Sequence, residues 1–179
     1  MLKGHTDCVW CVATCTAGGR VLAVSGSDDM TVRVWDVEAG KLRTVLKGHT
    51  ATVYGVATCT VGGRVLAVSA SRDKTLRVWD VGAGALRTVL EGHTSHVSSV
   101  ATCSAGGRVL AVSRGDKTLR IWGVGSVAHD ETICHYRGAH RHTRPSGGIG
   151  GGGDLTPALL VRPSTAVYYS DAVLTVYRV

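Results

Sequence analysis

Histidine and aspartate recur together in this chain, and such a pair could work as a general acid and base. His5 and Asp29 are the first pair. The same two residue types return at matching places further along the sequence, as His49 with Asp73 and as His93 with Asp116. A catalytic pair is needed once, so recurrence in every copy favours a structural role. No nucleophile–base pair stands outside these sets, and the sequence therefore predicts a protein that is not an enzyme.

Metal and cofactor chemistry also find little support. Cys8 and Cys11 form a C-x-x-C on a predicted strand, where alternation sends the two side chains to opposite faces. The glycine run 146–153 contains a G-x-G-x-x-G, but no strand precedes it and no helical pattern follows. Further residues of zinc-binding type have spacings that fit no common finger: His129, Cys134, His135, His140 and His142. We expect no metal site and no cofactor.

An internal repeat positions these residues. Residues 2–45 and 46–89 align without a gap and are identical at 33 of 44 positions, and a third copy runs from Leu90 to about Val124. Each copy reads as four short strands, which in the first copy are Val9–Thr14, Arg20–Ser25, Thr31–Val37 and Lys41–Leu46. Short, evenly spaced strands predict an all-β, radially repeated architecture.

The repeated motifs resemble those of the WD-repeat family of β-propellers. The motifs are Gly4-His5, Ser27-Asp28-Asp29 and Val34-Trp35-Asp36 in the first copy, with Gly48-His49, Ser71-Arg72-Asp73 and Val78-Trp79-Asp80 in the second. The resemblance covers residues 1–125. It implies a partial β-propeller of about three to four four-stranded antiparallel blades, which is not closed.

The resemblance also implies a hydrogen-bonded set inside each blade, joining the histidine, a serine, the turn aspartate and the tryptophan. Carried over, these residues are His5, Ser27, Asp29 and Trp35, then His49, Ser71, Asp73 and Trp79, then His93, Asp116 and Trp122. In the third copy the turn is one residue shorter and Arg114 stands where the serine is expected. We therefore expect a looser third blade.

Members of this family often bind partners through the face that carries the loop into the innermost strand. The matching positions are Cys8, Trp10 and Asp28, then Thr52, Tyr54 and Arg72, then His96, Ser98 and Gly115. No two copies share a residue at any of these positions. This variation suits a constant frame with a diversified binding surface, and it equally suits drift at exposed sites. Trp10 and Tyr54 are the expected anchors, because aromatic residues dominate interface hot spots.

After residue 125 the repeat pattern breaks. Residues 126–154 are expected to form an irregular, glycine-rich linker. Residues 155–179 are expected to form a degenerate fourth blade, in which Tyr177 takes the place of Trp35 and Asp171 that of Asp29. The alternative left open is that these residues only have strand composition.

Charge and hydropathy limit the partners. The net charge of +7 comes largely from arginines that recur once per repeat, a spread more typical of a solvated face than of a nucleic-acid footprint. Nucleic-acid binding is therefore not expected. No apolar run approaches the roughly 18 residues of a membrane span, and the first residues lack a secretory signal. We expect an intracellular protein, cytoplasmic or nuclear, with six cysteines as thiols.

The leading functional interpretation is a non-enzymatic scaffold that binds other proteins. One alternative is a substrate receptor of a cullin-type ubiquitin ligase, a class that often carries arginine where this chain has Glu38 and Gly82. Another is an incomplete piece of a larger WD-repeat protein, because the family usually closes its ring with about seven blades. Open blade edges would also favour self-association.

Overall fold

The computed structural model describes residues 1–126 and three short strands between Tyr168 and Tyr177. Blade 1 contains β1 (Val9–Ala17), β2 (Arg20–Ser27), β3 (Val32–Asp36) and β4 (Lys41–Leu46). Blade 2 contains β5 (Val53–Val61), β6 (Arg64–Ser71), β7 (Leu76–Asp80) and β8 (Ala85–Leu90). In both blades neighbouring strands pair antiparallel in chain order. The predicted partial propeller of four-stranded blades is confirmed.

Tight turns join the strands because the repeat supplies the residues that such turns need. Ala17 pairs with Arg20, so Gly18 and Gly19 form a two-residue hairpin loop. Both glycines have positive φ, at 58° and 72°, as the favoured hairpin turns require. The same glycine pair closes the first hairpin of the other two blades. The first strands reach Ala17 and its equivalents and are longer than predicted, because pairing continues up to this turn.

Blade 3 has a different outer strand. It contains β9 (Val97–Ala105), β10 (Arg108–Gly115) and β11 (Thr118–Ser126), and its fourth strand is β14 (Thr175–Tyr177), which pairs parallel with β11. Tyr177 therefore lies beside Trp122, whereas a fourth blade would place it in a separate sheet. The remaining strands, β12 (Tyr168–Tyr169) and β13 (Ala172–Val173), pair with each other. The linker 126–154 lies, apart from Ser126, outside the described residues, as does most of the predicted fourth blade.

The core lies between the blades. Leu22, Val24 and Val34 of blade 1 pack against Trp79, Val53 and other apolar residues of blade 2. A second cluster joins blades 2 and 3 in the same way, around Trp122. Strands apolar on both faces, such as β2 and β6, are thus covered on one side by their own repeat's tryptophan and on the other by the next blade. Among the described residues, no helix is long and apolar enough to cross a membrane.

Candidate functional site

A chain of hydrogen bonds runs through the interior of blade 1. The Trp35 indole Nε1–H donates to Ser25 Oγ over 2.8 Å. Ser25 Oγ lies 2.8 Å from His5 Nε2. On the other side of the imidazole, His5 Nδ1 lies 2.7 Å from Asp29 Oδ2. The four side chains come from the loop before β1, from β2, from the β2–β3 turn and from β3. The hydrogen bonds therefore link this loop, this turn and the two strands to one another.

Blades 2 and 3 repeat this chain with little change. The three distances are 2.8, 2.7 and 2.7 Å from Trp79 through Ser69 and His49 to Asp73. They are 2.8 Å each from Trp122 through Ser113 and His93 to Asp116. The shortened turn of blade 3 therefore leaves this series of hydrogen bonds intact, since the missing residue falls between Ser113 and Asp116. We call these three sets of four residues the frame.

The direction of the bonds follows from the donors available. Indole N–H can only donate, so the serine oxygen accepts from the tryptophan and its own hydrogen goes to the imidazole Nε2. The imidazole Nδ1–H then donates to the carboxylate. Every polar atom is satisfied by a neutral histidine and a charged aspartate. The histidine and aspartate side chains are at most 7% exposed, so the frame is a packed structural unit with almost no access for a substrate.

The serine of the frame differs from the predicted one. Ala23 pairs with Trp35, so Ser25, two residues further along β2, lies on the same face beside the indole nitrogen. Ser27 lies another two residues on, at the end of the strand. There its hydroxyl donates to the carbonyl of Asp7 and accepts from the amide of Asp29. Ser71 makes the same two turn contacts in blade 2, so the assignment of Ser27 and Ser71 to the frame was wrong.

A threonine completes the aspartate's surroundings and was missed by the sequence analysis. Thr31 donates to Asp29 Oδ1 from its hydroxyl at 2.6 Å and from its amide at 3.0 Å. Thr75 does the same for Asp73, and the Thr118 hydroxyl bonds to Asp116. The signal was available in the sequence, because a threonine follows the turn aspartate by two residues in every copy.

These contacts set the protonation of the aspartates. Burial would by itself raise the pKa of Asp29, but hydrogen bonds from Thr31, His5 and Thr6 outweigh it and hold that pKa well below its usual range. The same balance lowers the pKa of Asp73 and of Asp116. Burial lowers the pKa of His93, against the pull of Asp116. These shifts favour a charged carboxylate in all three blades and a neutral imidazole at His93.

Above the frame, three aromatic rings form a row across the blades. The Trp10 and Tyr54 ring centroids lie 5.9 Å apart in an edge-to-face arrangement. Tyr54 and His96 follow at 6.1 Å, again edge to face. Trp10 is 57% exposed, and His96 is exposed while Tyr54 is half-buried. We call the surface around this aromatic row the upper face. It carries the loops before β1, β5 and β9 and the β2–β3 turns with their equivalents.

The other predicted contact positions divide into exposed and buried ones. Cys8 and Arg72 are exposed, and Asp28 and Ser98 are half-buried. Thr52 is buried, and its hydroxyl donates to Asp28 Oδ1 across the boundary between blades 1 and 2. These facts assign Thr52 to the joint between blades and remove it from the surface available to a partner.

Gly115 was also placed wrongly on the upper face. It pairs with Val97 as Ser27 pairs with Val9, so strand register puts it at the serine position and Arg114 at that of Gly26. Gly115 is buried. A Cβ there would lie 2.8 Å from the His96 carbonyl oxygen, so a side chain would press on this backbone, and the buried glycine offers no side chain to a partner.

One cluster of metal-ligand types occurs among the described residues. The ligand atoms of Asp7, Cys8 and Asp28 lie within 4.8 Å of one another. Part of the capacity of these carboxylates to accept is already used, since Asp28 accepts from Thr52 and Asp7 from the Cys8 amide.

The described cysteines are free thiols, and burial raises the pKa of Cys11 and of Cys59 to about 11. The histidines and cysteine between 129 and 142 lie outside the described residues.

Comparison with known families gives a match to "WD domain, G-beta repeat" over residues 1–36, 40–80 and 84–123. Each matched segment contains one complete copy of the frame. The second and third segments begin with the outer strand of the preceding blade, β4 and β8. Together the three segments span more than half of the chain. No curated protein matches the sequence.

Proposed function

This chain belongs to the WD-repeat family, and we propose that it is a non-enzymatic scaffold that binds other proteins through the upper face. Repeats of this family generally mediate protein–protein interactions. The observation that carries the proposal for this chain is the row formed by Trp10, Tyr54 and His96. Trp10 and His96 are exposed and Tyr54 between them is half-buried. Adjacent aromatic side chains held in place by a sheet provide the contact area that interface hot spots use.

Charges around the row favour a polypeptide partner with segments of both signs. Asp7 and Asp28 lie on the blade 1 end, whereas Arg72 lies on blade 2. Complementary charge steers the approach of a partner and fixes its direction. An extended segment with a bulky apolar residue over Trp10 and an acidic stretch toward Arg72 would match this surface.

The test is a selection for binders followed by a matched pair of variants. A displayed peptide library is selected against the chain, and dissociation constants of the resulting peptides are measured by calorimetry. We expect Trp10→Ala to weaken binding at least tenfold. Leu42→Ala, which truncates an exposed leucine on β4 far from the row, should change it less than twofold. Binders that ignore Trp10, Tyr54 and His96 would contradict the proposal.

A substrate-receptor role in a cullin ubiquitin ligase is a weaker proposal. Glu38 and Gly82 occupy the exposed places where that class often has arginine.

Nucleic-acid binding is weaker still. Of the recurrent arginines, Arg33 and Arg120 turn inward to contact Asp29 and Asp116. We propose that the protein is intracellular, in the cytoplasm or nucleus, because the described cysteines are free thiols. Self-association is a second candidate, favoured by valines exposed on one side of blade 1.

A further inference from the structure

In blades 2 and 3 one side meets the preceding blade. We call this side, and the equivalent side of blade 1, the leading side. It is defined by four valines that are identical in the first two copies: Val9, Val12, Val21 and Val37 in blade 1, and Val53, Val56, Val65 and Val81 in blade 2. In blade 2 none of the four is more than 8% exposed, because they face blade 1. In blade 1 the four are 39–66% exposed. The same residues are thus an interface in one blade and a bare apolar patch in the other.

The opposite side, which we call the trailing side, meets the following blade in blades 1 and 2. In blade 1 it is formed by Leu22, Val24, Val32 and Val34, and in blade 3 by Leu110, Val112, Leu119 and Ile121. Val32 is fully buried against blade 2, whereas Leu119 is 47% exposed. Leu110, Val112 and Ile121 are half-buried. Blade 3 is therefore partly open on the type of surface that covers a leading side inside this molecule.

The internal joints also share a polar contact. The Thr58 hydroxyl donates to the Thr14 carbonyl over 2.9 Å, joining blade 2 to blade 1. The Thr102 hydroxyl donates to the Thr58 carbonyl over 2.8 Å, joining blade 3 to blade 2. In a further joint of this kind, the Thr14 hydroxyl would be the donor and the Thr102 carbonyl the acceptor. Both ends of the described array thus carry the matching halves of one more joint.

We propose that the leading side of blade 1 binds the trailing side of blade 3 of a second copy of this chain. The internal joints supply the template, since the residues that would meet are equivalent in position and type to those that already pack together. Such head-to-tail contacts are heterologous and build a ring or an open array. The proposal is independent of the upper face, whose aromatic row is absent from both sides.

Arg114 makes the proposed joint weaker than the internal ones. It occupies the position of Gly26 in blade 1 and Ala70 in blade 2. A Cβ on Gly26 would lie 2.5 Å from Val53 Cγ1 of the next blade, so this position sits directly against the following valine. Arg114 is exposed, and its Nε donates to Ser98 Oγ. Its side chain has to move aside before a second copy can dock.

The experiment measures mass against concentration for the full chain by light scattering and sedimentation. The wild type should rise above 18.7 kDa as its concentration increases. Val12→Glu disables the leading side and Leu119→Glu the trailing side, and each variant alone should stay at the monomer mass. Mixed one to one, they retain one good surface of each kind and should form a species of twice that mass and no larger. Arg114→Ala should associate at about tenfold lower concentration than the wild type.

The control is Leu42→Glu, which adds the same charge to an exposed leucine of β4. Its counterpart Leu86 stays exposed in blade 2, which is covered on both sides, so this position lies outside the joint and the variant should behave as the wild type. A wild type that stays monomeric at all concentrations would overturn the proposal. So would a mixture that fails to dimerise, or a Leu119→Glu variant that still dimerises by itself, since the latter indicates a symmetric contact. Circular dichroism establishes that each variant is folded.

Discussion

The frame and the upper face of the same blades follow opposite rules. The frame repeats three times with corresponding distances that agree within 0.1 Å. On the same blades, the row of Trp10, Tyr54 and His96 is built from three different residue types, the last taken from a different position in its loop. The difference shows which atoms the fold requires. Residues whose polar atoms must be satisfied out of water are fixed, whereas residues that face solvent are free to diverge and to acquire partners.

The largest expected effect comes from breaking the frame at its central atom. Ser69→Ala removes both the acceptor for Trp79 Nε1–H and the donor to His49 Nε2, which leaves two buried polar atoms without partners. We expect a loss of about 3 kcal/mol in the free energy of unfolding, measured by urea denaturation.

Ser71→Ala is the matched control, because it removes the same hydroxyl two residues along the same strand. Ser71 serves only the turn, with bonds to the Ala51 carbonyl and the Asp73 amide, so the expected loss is about 1 kcal/mol. Equal losses for the two variants would mean that the tryptophan–serine–histidine chain contributes nothing beyond an ordinary turn bond.

Acid should break the frame in all three blades together. The pKa values of Asp29, Asp73 and Asp116 are lower in the folded chain than their ordinary value of 3.8. The unfolded chain therefore takes up protons first, and the stability these groups contribute, complete above about pH 5, is lost as the pH falls through 4 and below. The lowered pKa of His93 adds a loss that begins below about pH 6.5. Urea midpoints measured from pH 7 to 3 give the slope of stability against pH, and Asp73→Asn should reduce that slope. A slope unchanged by the substitution would argue against assigning the loss of stability in acid to these aspartates.

A smaller effect is expected at the shortened turn of blade 3, where the frame tolerates a local departure. Gly115 pairs with Thr118, so Asp116 and Lys117 alone form the loop, with φ of 44° and 62°. This region is strained for residues other than glycine. We expect Lys117→Gly to raise the unfolding free energy by about 0.5–1 kcal/mol. Lys41→Gly in β4, where the backbone is extended, should lower it instead. A decrease in the unfolding free energy for both variants would show that the turn is unstrained.

Much of this architecture could be predicted because it is repeated. Alternation, glycine pairs and the recurrent histidine, aspartate and tryptophan led to the four-stranded blades of the first two copies, whereas the expected fourth blade is replaced by a strand that joins blade 3. The serine was misplaced because Ser25 and Ser27 share one face of β2, and only the strand pairing tells which of them lies beside Trp35. Gly115 was misplaced for a related reason, since a deletion in a turn can be aligned in more than one way until the register is known.

The sequence predicts open blade edges, but residue type alone does not tell which copy of the repeat carries the exposed residues. Val12 and Val56 are the same residue in the same repeat context, yet one is 66% exposed and the other 8%. What separates them is whether a blade precedes them in space, and no local pattern carries that information. The parallel pairing of β14 with β11 is equally non-local, because it joins residues more than 50 positions apart.

The most direct test of the contrast between frame and surface uses two neighbouring residues of one turn. Asp73 lies in the frame of blade 2, and Arg72 beside it is exposed on the upper face. Urea denaturation at pH 7 should show that Asp73→Asn lowers the unfolding free energy by about 3 kcal/mol, whereas Arg72→Ala changes it by less than about 0.5 kcal/mol. Comparable losses for the two variants, or a larger loss for Arg72→Ala, would contradict the account.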